Sequence, residues 1–435
     1  MRKTVSALVF LLSSSAQACP DLSAFYLAEQ GPASQSALAA QLAPLMSQCL
    51  QSAEFFALLG AAQMESGDLT TALESLERAL LLDPGNGAAQ IDYAQALYQQ
   101  GQLFSALDLN RQILARTDLP PEIEALVRQR DQLWQARTRQ TAFQLDALVG
   151  YDNNLNGAPD PSQIELTLSG EPIILTLNPE FQAIGGRYLN LRGGATYQQL
   201  GPGHRHNARV DVRGRVSQDS GSDLLQLQSR YEFFRPRRSS GLLASVAAGQ
   251  LFFGGNALYA ASEALLRYTR PGPHACGRRF DLTLQHQHFH GQRNLNSLEA
   301  RLAAGLECQV AVAGVASVLD LELGLLSNTA LSSGRPGGHR RGWQVNADWQ
   351  WPVPHGIFRS QLNYTRLQDQ AGYSPLLANG VDRWLERSYL LMQYQRPVQP
   401  GMTFLASFYH QYQRSNVALF DTLDSSLEFG LSFAF

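Results

Sequence analysis

Over residues 141–435 apolar and polar residues tend to alternate one by one, whereas from Ser52 to about Gln135 the apolar positions recur every three or four residues. A period of two belongs to a strand whose two faces meet different surroundings, and a period near 3.6 belongs to a helix. The last run is the cleanest. Leu427, Phe429, Leu431, Phe433 and Phe435 alternate with Glu428, Gly430, Ser432 and Ala434. The first set suits hydrocarbon and the second a polar or small-residue lumen, as in a transmembrane barrel. Fourteen strands can be marked, near residues 142–151, 187–199, 207–217, 223–234, 240–251, 257–269, 277–289, 296–308, 314–326, 340–351, 357–368, 384–396, 401–413 and 424–435. An even count brings the last strand back to the side from which the first one starts. The connections agree. Gly201-Pro202-Gly203, Pro236, Pro271-Gly272-Pro273, Val353-Pro354-His355-Gly356 and Pro397-Val398-Gln399-Pro400-Gly401 all fall on one side, taken as periplasmic. The longest connections, 152–186, 327–339 and 369–383, fall on the other. Alternation breaks down in several middle strands, so their ends are placed only to within a few residues.

The helical stretch repeats itself. Gly67 and Gly101 lie 34 residues apart, and so do Leu69 and Leu103, and Ala72 and Ala106. A small residue in the turn and an Ala at the helix crossing, at this spacing, resemble the tetratricopeptide repeat, and Asp83-Pro84-Gly85 ends the first repeat where that family has Pro. Two such helix pairs cannot bury their apolar faces alone, so flanking helices are expected near residues 35–50 and 121–138. The expected fold is an N-terminal tetratricopeptide-like α-helical domain at 19–140 followed by a 14-stranded antiparallel transmembrane β-barrel at 141–435. Stacked repeats make concave peptide-binding surfaces. By spacing, Glu54, Ala57, Ala61, Met64, Glu65, Ile91, Gln95 and Tyr98 face that groove, with the apolar ones also candidates for inter-repeat core.

The first residues change where this happens. Met1-Arg2-Lys3, an apolar stretch from Val5 to Leu12, and Ala16-Gln17-Ala18 before Cys19 read as a cleavable leader over 1–18. Cys19 then raises the question of lipidation, against which stands Ala16 where such sites usually carry Leu. No later run is long and apolar enough for a membrane helix, so a membrane role falls to strands. Four cysteines in an exported chain allow three pairings, and Cys19 with Cys49 plus Cys276 with Cys308 keeps each bridge inside one domain. Cys276 opens the seventh strand and Cys308 closes the eighth, which sets them opposite each other. A net charge of −3 gives no electrostatic reason to expect nucleic acid.

Catalytic motifs are missing: there is no Gly-x-Ser-x-Gly, no phosphate-cradling Gly-rich loop with Lys, no His-Glu-x-x-His and no Cys-x-x-Cys. No enzyme activity and no cofactor are expected. Asp152, Asn154, Asn156 and Gly157 match half of a calcium loop, but its twelfth position is Gln163, and an Asx-rich turn explains the same residues. His286, His288 and His290 share one strand face with Leu282 and Leu284, which places them on the lipid side near the outer interface.

Three stretches carry a further likeness. Gly150-Tyr151-Asp152-Asn153-Asn154-Leu155-Asn156-Gly157-Ala158-Pro159 resembles the segment that begins the barrel of the surface lipoprotein assembly modifiers, the Slam family. Leu166-Thr167-Leu168 with Leu175-Thr176-Leu177 resembles that family's long first outer loop, and Arg414-Ser415-Asn416-Val417-Ala418-Leu419-Phe420 its segment before the closing strand. The C-terminal Phe429, Leu431, Phe433 and Phe435 resemble the signal read by the barrel assembly machinery. The resemblance implies a monomeric outer-membrane translocator with a periplasmic repeat domain. Its partners would be a client lipoprotein or secreted protein, a periplasmic chaperone and outer-membrane lipid. A polysaccharide-export barrel or a passive porin with a repeat domain is the alternative.

Overall fold

The computed structural model describes residues 19–27, 32–273, 275–312 and 314–435. The expected leader lies outside the described residues. The chain divides after Thr138 into two units.

The first unit holds α1 (Pro32–Leu42), α2 (Ala53–Glu65), α3 (Leu69–Leu82), α4 (Gly87–Gln99), α5 (Leu103–Leu114) and α6 (Pro121–Ala136). Side chains end the helices where the sequence supplies short polar residues. Ser52, Asp68 and Asn86 each accept a hydrogen bond from a backbone N–H in the first turn of α2, α3 and α4. The 34-residue period has a backbone reason. Gly67 and Gly101 stand in the turns after α2 and α4 at φ +89° and +84°, a conformation that costs any residue with a Cβ. Phe55, Leu59, Ala72, Leu76 and Ala79 form the fully buried centre between α2 and α3. A Cβ on Gly60 would lie 2.6 Å from Cγ of Leu76, so the two helices cross at backbone distance there. A disulfide between Cys19 and Cys49, 30 residues apart, ties the segment before α1 to the turn before α2, and the sulfur of Cys19 is thereby committed.

The second unit is a closed barrel. Its strands are β1 (Arg139–Asp152), β4 (Gly186–Gly201), β5 (His204–Ser217), β6 (Leu224–Arg237), β7 (Ser240–Phe253), β8 (Asn256–Pro271), β9 (Cys276–Phe289), β10 (Ser297–Val312), β11 (Val315–Ala330), β12 (Arg340–Val353), β13 (Gly356–Gly372), β14 (Asp382–Gln399), β15 (Met402–Ser415) and β16 (Thr422–Ala434). Each pairs antiparallel with its neighbours, and β1 closes the ring by pairing with β4 on one side and β16 on the other. Closure leaves no unpaired edge, which a membrane-spanning sheet requires. All fourteen strands coincide with those read from the alternation. A shorter hairpin, β2 (Gln163–Leu168) with β3 (Glu171–Thr176), stands in the long β1–β4 connection and was not foreseen as strand.

Along β1, Phe143, Leu145, Val149 and Tyr151 are exposed outward while Asp146, Leu148 and Asp152 are buried; along β11, Leu321, Leu323 and Leu325 are exposed while Glu322, Leu326 and Asn328 are buried. An outward wall of Leu, Val and Phe is unfavourable in water and suits hydrocarbon, so the strands cross a membrane. Among the described residues no helix is long and apolar enough to do so. Cys276 and Cys308 are direct partners on β9 and β10 and are joined by a disulfide.

Candidate functional site

The helical unit and the barrel lumen each offer a place that can receive something. In the helical unit, Ala57, Ala61 and Glu65 of α2 and Ala88 and Asp92 of α4 line a concavity of about 440 Å³, with Phe25, Tyr26, Gln35 and Leu38 along its rim. Three alanines on two facing helices leave the floor empty, and Glu65 and Asp92 make it acidic. The Tyr26 hydroxyl donates to Glu54 at 2.9 Å, so Glu54 holds the rim. Burial pushes the Asp92 carboxyl up to about 6; Arg130 opposes this and Glu65 adds to it.

The other groove residues read from the sequence go elsewhere. Met64 is 6% exposed and belongs to the core rather than the groove, because it falls on the side of α2 that turns inward to the packed helices. Ile91 and Tyr98 are half-buried against the second core cluster, and Tyr98 stacks on Trp134 of α6 with ring centroids 4.6 Å apart. Gln95 is half-buried. Asp92 itself was passed over in the sequence, as was the clamp behind it. There, fully buried Asn110 donates to the Val127 carbonyl at 3.1 Å and accepts from the Arg130 guanidinium, whose Nη1 reaches the Ile91 carbonyl at 3.1 Å. A polar residue at a core position of α5 was the available signal.

Asp92 makes the unit pH-sensitive. Its folded pKa of about 6 lies above the usual 3.8. Between about pH 4 and pH 6 the folded state therefore binds more protons than the unfolded one, and stability falls as pH rises through that window. Asp92→Asn is expected to raise stability of the helical unit at pH 7 by about 2 kcal/mol and to make no difference near pH 4. Thermal unfolding by far-UV circular dichroism across that range measures it; an equal effect at both pH values would contradict the assignment.

The second place is the lumen. Arg279 of β9 sits among Asp281, Asp320 and Glu322, donating to Glu322 at 2.8 Å and to both oxygens of Asp320. Arg301 reaches Glu322 and Arg267 reaches Asp281, each at 2.7 Å. At the seam, Glu428 of β16 accepts from Asn190 at 2.9 Å, from the Tyr188 hydroxyl at 3.3 Å and from Arg192, all three on β4. These bonds pass over β1, and Gly150 makes that passage available: a Cβ there would meet the Tyr188 ring at 2.5 Å. The closing seam is thus bridged by side chains as well as by the β1–β16 ladder.

Toward the long-connection end, Asp369 is held by Arg340 at 2.8 Å and Arg383 at 3.0 Å, and the Arg383 guanidinium lies over the rings of Tyr373 and Phe420. The β2–β3 hairpin reaches the β13–β14 connection. Thr167 N donates to the Leu376 carbonyl at 2.9 Å, and Asn379 N donates to the Thr167 hydroxyl at 3.2 Å. The Asx-rich run after β1 is spent on backbone N–H groups, two within local turns and one across the connection: Asp152 accepts from Asn154 N, Asn154 from Ala158 N and Asn156 from Ile184 N. His288 pairs with Asn296 and His290 with Gln250, while exposed His286 precedes them on the outward face of β9. On β16, Phe429 is half-exposed outward opposite Val149, with Leu431 opposite Ala147 and Phe433 opposite Leu145; exposed Phe435 follows the strand and exchanges backbone bonds with Phe143.

A tetratricopeptide-repeat family model matches residues 63–129. No curated relative matches the chain. Over 24% of its length the chain is similar to the type III secretion chaperone SycD of Yersinia enterocolitica in complex with a peptide of the translocator YopD, at 20% identity, 81% of that chain and TM-score 0.22. Over 68% it is similar to a loop L8 deletion form of the outer membrane protein OmpT of Vibrio cholerae, at 6% identity, 100% of that chain and TM-score 0.37. Over 68% it is also similar to an anion-selective porin from Comamonas acidovorans, at 10% identity, 99% of that chain and TM-score 0.37.

Proposed function

We propose that this chain is an outer-membrane translocator that delivers specific lipoproteins or related secreted proteins to the cell surface, as the Slam family does. The observation that carries the reading is the union on one chain of a small repeat unit with an open acidic concavity and a closed fourteen-strand barrel with a polar lumen. A concavity floored by alanines suits an extended client segment or a chaperone in the periplasm, and a barrel of this strand number offers a route past the lipid. The chain works as a monomer, without cofactor or catalysis, in contact with client, outer-membrane lipid and the barrel assembly machinery.

Surface labelling of a lipoprotein encoded beside this chain, with protease shaving of intact cells, tests the reading. Loss of surface exposure in cells lacking the chain is expected, with total lipoprotein and other barrels unchanged. The arginine- and carboxylate-lined lumen favours a second reading, a polysaccharide-export or passive porin. Unchanged exposure of every candidate would select it.

A further inference from the structure

The outward face of the barrel is apolar along most of its height, yet four adjacent strands break the rule together near their long-connection ends. Register puts Trp343 of β12, Arg366 of β13, Glu386 of β14 and Arg414 of β15 in one row. Arg341 and Trp384 stand one step nearer the loops. Their parity is that of Leu362, Val345 and Tyr412, which are exposed on the outward wall, so the three arginines face lipid. All three are exposed. Arg366 binds Glu386 at 2.8 Å, whereas Arg341 and Arg414 make no hydrogen bond or ion pair among the described residues. Two further carboxylates stand on the loop side of the row: Asp382, and Asp421, whose charge acts on Arg414 without an ion pair.

A guanidinium on the lipid face is strongly disfavoured at mid-membrane and well tolerated at the interface, where Trp and Tyr also gather. The Trp343 and Tyr364 rings, 5.2 Å apart, mark that level beside Arg366. Planar forks at headgroup height match phosphate oxygens in pairs. We infer that this row is a binding site for a phosphorylated glycolipid of the outer leaflet, its phosphates on Arg341, Arg366 and Arg414 and its acyl chains along the wall below. The inference rests on the outer-membrane reading for the identity of the leaflet.

The test uses the full chain folded in detergent, with bisphosphorylated lipid A, dephosphorylated lipid A and phosphatidylglycerol as separate probes. Bisphosphorylated lipid A is expected to raise the unfolding temperature saturably. Arg341→Gln combined with Arg366→Gln and Arg414→Gln should weaken that response at least tenfold. Arg396→Gln, outward-facing at the opposite end of β14, should leave it unchanged. An equal response to dephosphorylated lipid A, to phosphatidylglycerol, or in the triple variant would overturn the site. Membrane fractionation of cells reads the location separately, so a chain found outside the outer membrane would defeat the leaflet assignment even where lipid A binds in detergent.

Discussion

Gly430→Leu is expected to prevent the barrel from closing. Gly430 lies opposite Leu148 in the β1–β16 ladder, and a Cβ there would run into the Ala147 carbonyl oxygen and come within 2.8 Å of the Leu148 Cα. Both obstacles are backbone, so no side-chain rotation relieves them. The β1–β16 ladder runs over nine residue pairs, from Gln144 with Ala434 to Asp152 with Ser426, where β10 and β11 share sixteen. An obstruction there removes the bond that makes the sheet a ring, and both freed edges would be unpaired in hydrocarbon at several kcal/mol per orphaned group. The variant should lose the heat-modifiable gel mobility of a folded barrel and fall sharply in membrane abundance. A variant with the mobility and abundance of the parent would show that the seam tolerates a side chain, and that the ladder is looser than its register implies.

Arg279→Ala should be the most damaging charge removal. Asp281 and Glu322, almost fully buried, would keep Arg267 and Arg301, but Asp320 would lose its only ion-pair partner among the described residues. Removing one partner of a buried pair costs 3–5 kcal/mol because the other charge stays desolvated, and lumenal water moderates this to about 3 kcal/mol. Urea unfolding of the folded barrel measures it. Adding Asp320→Asn should recover part of the loss, since the stranded charge goes with it. Failure of the second substitution to recover anything would mean that Arg279 acts through packing and not through Asp320.

Much of this molecule was legible before any coordinates. The Leu427 to Phe435 alternation became β16 because only its odd positions meet lipid. Gly67 and Gly101 marked the repeat because the turn after each first helix needs a left-handed residue. The middle strands were harder. Leu265 of β8 and Leu391 of β14 share the lumenal side of their strands with Arg267 and Gln393, so polarity does not alternate there even though the pleat does. The β2–β3 hairpin escaped for a related reason: Ile173, Ile174 and Leu175 of β3 are consecutive and all exposed, which gives no period to read.

The groove fared less well than the fold. Spacing along α2 put Ala57, Ala61 and Met64 together, but a helix packed on both sides has two apolar faces, and only the neighbours α1 and α3 decide which of them stays open. Period, turn chemistry and strand parity are local properties of consecutive residues, so they were enough to set out the two units, the repeat, the number of strands and, where polarity alternates as in β16, the face that meets lipid. The ion clusters around Arg279 and Glu428, the arginine row on β12–β15 and the acidic concavity with Asp92 join residues far apart along the chain. Their existence depends on register and helix packing, which no stretch of consecutive residues encodes.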